Sequence, residues 1–366
     1  MFSTRIMSAI NPTVLSPYGT FPGPDAVALA HKAPVLSPYG TLLGRDAVAL
    51  AHKAPVPREM TSVRRMRYLM GTFVSIEVTA EGNARAIDAL EAAFREMGRI
   101  ERVFSKFLPQ SVISQLNRSA SVSPVTVPCE VFELMERSAH FSRITRGAFD
   151  ITVNPFMEIW NLSQERALLP SSAEIREAFR QVGFTHIVLE PIERTVFFQR
   201  PGMQVDFGAI GKGYALDRAV GILREWGIRK ALLNAGGQVF CLDEEPAAIG
   251  IRDPRNGEAL IAAIWVQDQS IATSANTERF FTIGGEAYGH LIDPRTGYPV
   301  QNDILSATLV ANSAEAADVL ATAVFILGRE EGMRLIESMP DVEGLLLTAN
   351  GTGTKMHASS GLKLAG

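Results

Sequence analysis

Long apolar runs are missing from this chain. No uninterrupted stretch approaches the ~20 residues that span a bilayer, so no transmembrane segment is expected. Basic blocks are missing too: 35 Lys and Arg against 39 Asp and Glu leave a net charge of -4, which gives nucleic-acid binding little electrostatic support. Cysteine is scarce. Cys129 and Cys241 are the only two, too few for a disulfide framework and without metal-type spacing. The opening stretch MFSTRIMSAINPTVLSPYG has no apolar core before its prolines, so neither a signal peptide nor a lipobox is seen. Arg64-Arg65 makes a poor twin-arginine signal, because Arg67 and Glu77 interrupt the apolar stretch such a signal needs. As written, the chain reads as cytoplasmic, with a periplasmic or membrane-associated location as the alternative.

What is present suits a globular body. The 366 residues are 46% apolar and 20% charged, with a mean hydropathy of +0.10. That is enough for two domain-sized units or one large two-lobed body. Residues 14–34, VLSPYGTFPGPDAVALAHKAP, recur as residues 35–55 with three differences. Two copies are too few for a solenoid, which needs about three units to bury a continuous core. Residues 1–57 therefore read as a duplicated, poorly ordered leader, and residues 58–366 as the functional domain.

Periodicity divides that domain. Val74, Ile76 and Val78 alternate as in a half-buried strand, and Asn83 is expected to cap a helix carrying Ile87, Leu90, Phe94 and Met97. A second helix is predicted from about Glu130 to Gly147, and a third from a Ser172 cap towards Gly183. HIVLEPIERTVFFQ reads as strand and turn. A helix near 211–226 should close at Gly227, and strands are predicted around 230–240, 259–266, 270–274 and 304–311. Ser313 should cap a helix over 314–327 that Gly328 ends. Strands interspersed with helices, without strict βαβ alternation, point to an α+β fold.

Chemistry is concentrated in a few short stretches. DFGAIGKGYALD (206–217) is glycine-rich around a lysine, yet it matches neither the P-loop nor the dinucleotide fingerprint in spacing. In the apolar helix AEAADVLATAVFILG, Asp318 and Thr322 stand at i and i+4, about 6 Å apart on one face. Such a carboxylate–hydroxyl pair suits Mg²⁺ beside phosphate; alternatively, Thr322 bonds its own helix and Asp318 pairs with a base. HLIDPRTGYP (290–299) is a turn by composition, with His290 placed on the strand entering it and Ile292 on the same face. His290 suits a phosphate contact or acid–base work, or a structural role in the turn. In GAFDITVNPFMEIW (147–160), Phe149 beside Asp150 could hold a heteroaromatic ring, or be a core Phe and a turn Asp.

Together with MGT (70–72), FSKFLPQSVISQLN (104–117) and LLNAGG, these stretches resemble the flavin transferase (ApbE) family of FAD:protein FMN transferases over about residues 67–350. The resemblance implies a two-lobed, T-fold-like α+β body of antiparallel sheets and packed helices, with an FAD groove between the lobes. It implies Mg²⁺-dependent transfer of FMN from FAD, as substrate, to a Thr or Ser hydroxyl of an acceptor flavoprotein, with AMP released. By motif, Met70, Phe107, Ala148, Phe149, Asp150, Asp206, Lys212, His290 and Ile292 would meet the dinucleotide. The Ala209 carbonyl, Asp318 and Thr322 would hold Mg²⁺, and His290 or Asp318 would take the hydroxyl proton. Gln110, Gln238 and Ala275 depart from the family's usual residues. Two other functions remain open at this point: a Mg²⁺-dependent FAD pyrophosphatase giving AMP and FMN, and a non-catalytic flavin-binding protein.

Overall fold

A computed structural model of the protein describes residues 60–160, 169–275, 280–283, 286–351 and 353–365; the duplicated leader lies outside them. One eight-stranded sheet organises the rest. Its order is Met60–Leu69, Thr72–Glu81, Lys230–Ala235, Gln238–Leu242, Gln269–Ala275, Ile304–Ala311, Val342–Asn350 and Gly353–Ala358. Every neighbouring pair runs antiparallel. Alternation decides its faces. Val74, Ile76 and Val78 are fully buried in the main core with the helices, while Val239, Cys241, Ile271 and Val310 face Ile251, Ile264 and Val266 of a smaller three-stranded sheet.

The helices are α1 (Asn83–Phe104), α2 (Val112–Ser119), α3 (Cys129–Ile144), α4 (Asn154–Trp160), α5 (Ser172–Phe179), α6 (Gly211–Glu225), α7 (Ala314–Leu327) and α8 (Arg329–Glu337). α1 forms because Ala86, Leu90, Phe94, Met97, Ile100 and Phe104 return to one face every three or four residues, and all are buried. Its cap differs from expectation: Gly82, at φ 83°, occupies the N-cap and Asn83 is the first helical residue. α5 is capped by Ser171 rather than Ser172. Ser171 is the residue with a glutamate three positions on, and Ser171 and Glu174 close a capping box. α3 stops short of Gly147, because Arg146 takes φ 53°. The Gly147 and Arg146 N–H groups then donate to the Ser142 and Arg143 carbonyls at 2.8 and 3.1 Å, a left-handed helix stop made with an arginine.

α7 is buried on nearly every side, and its start is held from two directions. The Ser313 hydroxyl accepts from the Ala316 N–H at 3.1 Å. From α6, the Asp217 carboxylate accepts from the Ala314 and Glu315 N–H groups at 2.7 and 2.9 Å. Here the two helices nearly touch: a Cβ on Gly213 would lie 2.3 Å from the Ala314 carbonyl oxygen. Only glycine fits that crossing.

Candidate functional site

The crossing of α6 and α7 brings the Gly-Lys loop against the helical carboxylate. Lys212 Nζ lies 3.4 Å from each Asp318 oxygen and 3.5 Å from the Gly208 carbonyl. The Gly213 N–H donates to Asp318 Oδ2 at 3.2 Å. Four residues on, Thr322 Oγ1 donates to the Asp318 carbonyl at 3.2 Å and meets Ser274 Oγ at 3.2 Å. Both alternatives open in the sequence for this pair, a base for Asp318 and a backbone bond for Thr322, are therefore realised.

Those contacts also bear on whether a cation fits. The Lys212 ammonium already stands between a buried carboxylate and a carbonyl of the 206–210 loop, at long distances for an ion pair. The Asp318 carboxylate thus already faces one positive charge, that of Lys212. Among the described residues, no three His, Cys, Asp or Glu side chains cluster as metal ligands. A cation here would rest on one carboxylate, completed by neutral oxygens and those of a ligand, which is how Mg²⁺ is commonly held beside phosphates.

A second group of contacts continues along the loop. Asp206 Oδ1 accepts from the Gly208 N–H at 2.8 Å, and Asp206 Oδ2 pairs with Lys106 Nζ at 2.7 Å. Lys106 also donates to Asn154 Oδ1 and lies 5.2 Å from the Phe107 ring centroid. Phe107 is 82% exposed, a large aromatic face left open to solvent. Met70, at φ 54°, borders the same loop, its terminal carbon 3.8 Å from where a Cβ on Gly211 would stand. So Phe107, Asp206, Lys212, Asp318, Thr322 and Met70 form one connected patch.

The GAFD segment reaches this patch through its backbone. The Asp206 N–H donates to the Ile151 carbonyl at 2.7 Å. Ala148 and Phe149, however, are buried in the core. The Asp150 carboxylate accepts from Thr152 N–H and Oγ1 at 2.8 and 2.7 Å and from the Phe184 N–H at 2.9 Å. Burial pushes its pKa above the usual carboxylate range, opposed by those hydrogen bonds. Of the two readings of this stretch, the core Phe and turn Asp describe the side chains, and any ligand contact would fall to main-chain atoms.

HLIDPRTGYP folds as the predicted turn, with Thr296 and Gly297 N–H groups donating to the Asp293 carbonyl at 3.1 and 2.8 Å. Its histidine is placed differently from expectation. His290 sits in a bend between the strands Glu286–Gly289 and Ile292–Asp293, because the pairing of Ile292 with Pro299 begins a new hairpin. Ile292 is buried with Phe156, Trp160 and Tyr288, so its side chain contributes core rather than groove.

Three residues here were given no role in the sequence. Lys106 lies inside FSKF, where a lysine between aromatics reads as solvated. Asp217 ends the Gly-Lys motif, and burial pushes its pKa up to about 6 against its two backbone hydrogen bonds. Gln238 donates to the Ala314 carbonyl at 2.6 Å while its own carbonyl oxygen is buried without a partner. Asp217 carried a signal as an acid five residues after Lys212, and Gln238 as a departure from the family's usual residue.

Fold and site are those of an α+β protein in which a Gly-Lys loop is presented to a helical carboxylate above one antiparallel sheet. The ApbE family model matches residues 70–346, and the chain belongs to that family. Among its relatives, the FAD:protein FMN transferase of Treponema pallidum is 33% identical over 317 residues, 81% of this chain and 87% of that one. The FAD:protein FMN transferase of Klebsiella pneumoniae is 31% identical over 283 residues, 77% and 88% of the two chains. The crystal structure of the ApbE protein from Thermotoga maritima superposes with a TM-score of 0.74 at 30% identity, covering 82% of this chain and 97% of that one. The flavin transferase ApbE from Vibrio cholerae gives 0.73 at 25% identity, covering 82% and 98%.

Proposed function

We propose that this protein is an FAD:protein FMN transferase that moves FMN from FAD onto a Thr or Ser hydroxyl of an acceptor flavoprotein and releases AMP. The observation that carries the reading is the Lys212–Asp318 juxtaposition at the α6–α7 crossing, in a chain whose relatives bear that enzyme name. In the reaction, the acceptor oxygen bonds to the FMN phosphorus, the bond from that phosphorus to the AMP phosphate breaks, and the hydroxyl proton leaves. The Ala209 carbonyl, Asp318 and Thr322 would hold Mg²⁺, which when bound neutralises the diphosphate and the departing AMP. Lys212 turns from Asp318 to the diphosphate, Phe107 offers its open ring face to the dinucleotide, and Asp206 accepts from it. Either His290 or Asp318 would take the hydroxyl proton.

The test combines purified protein with FAD, Mg²⁺ and a flavoprotein that bears a flavinylation site. Covalent flavin fluorescence on a denaturing gel, together with an equal amount of AMP, is expected. AMP with free FMN and no labelled protein would instead make the chain an FAD pyrophosphatase. FAD binding without any cleavage would make it a binding protein.

A further inference from the structure

Lys106 lies within the FSKF stretch but was given no role above, yet it joins two parts of the site. Its side chain is only 20% exposed, unusual for a lysine. Three elements supply its surroundings: Asp206 from the Gly-Lys loop at 2.7 Å, Asn154 from the start of α4 and the ring of Phe107 at 5.2 Å. Asn154 is itself oriented, its amide donating to Glu158 and Gln204 at 2.9 and 2.8 Å. The loop carrying Lys106 is pinned as well. Ser111 Oγ donates to the Ser105 carbonyl at 2.5 Å and Ser114 Oγ to the Lys106 carbonyl at 3.0 Å.

We infer that Lys106 is a positioning residue for the dinucleotide. This rests on the function proposed above. The ammonium fixes Asp206 in one rotamer, so that its remaining lone pairs point where a nucleotide N–H or O–H arrives. By gripping Asp206 from the residue next to Phe107, it also sets the spacing between the exposed ring and the 206–212 loop. A dinucleotide needs both at once, a ring platform and a diphosphate loop at a fixed separation. A mononucleotide brings a ring but a single phosphate and no second nucleoside, so it depends less on that fixed separation, and Lys106 favours FAD over FMN or AMP.

Lys106→Met keeps the stem and removes the charge. Measured by flavin fluorescence, its Kd for FAD should rise about tenfold, with KM following and kcat within about twofold, while the Kd for FMN stays within about twofold. Lys106→Arg should recover most of the loss. In an Asp206→Asn background, Lys106→Met should change FAD affinity less than threefold, because its partner has already lost its charge. A merely structural role would instead lower the melting temperature and weaken FAD and FMN alike. That outcome, an unchanged FAD Kd in Lys106→Met, or an undiminished effect in the Asp206→Asn background would overturn the inference. FAD binding that ignores Lys106 sinks this inference alone, whereas a wild-type protein that binds no FAD sinks the parent reading with it.

Discussion

Lys212 and Asp318 hold opposite charges 3.4 Å apart, with a loop carbonyl on the far side of the ammonium. Any divalent ion that binds Asp318 must displace or neutralise that ammonium, and a diphosphate is the natural group to draw it away. Lys212→Met should therefore weaken FAD binding and yet tighten binding of Mn²⁺ alone by about tenfold, or ~1.4 kcal/mol. Calorimetry with Mn²⁺ and no nucleotide measures this, and unchanged or weaker Mn²⁺ binding refutes the competition. Asp318→Ala should lower Mg²⁺-dependent AMP release by about 100-fold or more, since among the described residues no cluster of carboxylates stands in reserve and Mg²⁺ dehydrates reluctantly. Thr322→Val removes a neutral oxygen, so its loss should be smaller and partly restored by excess Mg²⁺. If Asp318→Ala kept full Mg²⁺-dependent turnover, the cation site would be misplaced.

At the scale of elements, the site depends on how α7 is seated. Gly213→Ala would drive a methyl group into the Ala314 backbone, where no side chain can swing aside. A loss of about 1–3 kcal/mol is expected from such overpacking, read as a fall in melting temperature together with weakened Mn²⁺ binding as Asp318 shifts. Asp217 adds a pH dependence. Its pKa is raised from 3.8 to about 6, so the folded state binds a proton more readily than the unfolded state. This carboxyl's contribution to stability is then greatest below about pH 4 and is lost as pH rises through 6, by on the order of 3 kcal/mol. Asp217→Asn cannot titrate. Its stability relative to wild type should rise between pH 4 and 7 in urea melts, and a constant difference would remove Asp217 from the account. The elements themselves were largely legible: α7 between Ser313 and Gly328, α6 closing at Gly227, and the strand through Val74, Ile76 and Val78 all follow from local pattern. The seating was not. Gly213 meeting Ala314, and Lys212 meeting Asp318 106 residues away, are contacts between distant segments that local periodicity does not encode. The same limit explains His290, whose place in a bend depends on where Ile292 finds Pro299.

For the whole molecule, the question is how much of the chain the activity needs. Residues 70–346 carry the family match, and the main sheet begins at Met60, a few residues after the tandem repeat ends. Every residue placed in the site, from Met70 to Thr322, lies inside the matched span. The sheet that positions them is completed by strands from Met60–Leu69 to Gly353–Ala358. Among the described residues no helix is long and apolar enough to cross a membrane. Deleting residues 1–57 should accordingly leave the melting temperature within about 2 °C of the full chain, since 1 kcal/mol would already move it by about 2–4 °C in a body of this size. FAD affinity and AMP release should match those of the full chain. A larger fall in melting temperature would show that the repeat packs on the body and that the domain boundary is wrong. An unchanged melting temperature with lost transfer to the acceptor, but intact FAD binding, would instead assign the repeat to holding the protein substrate.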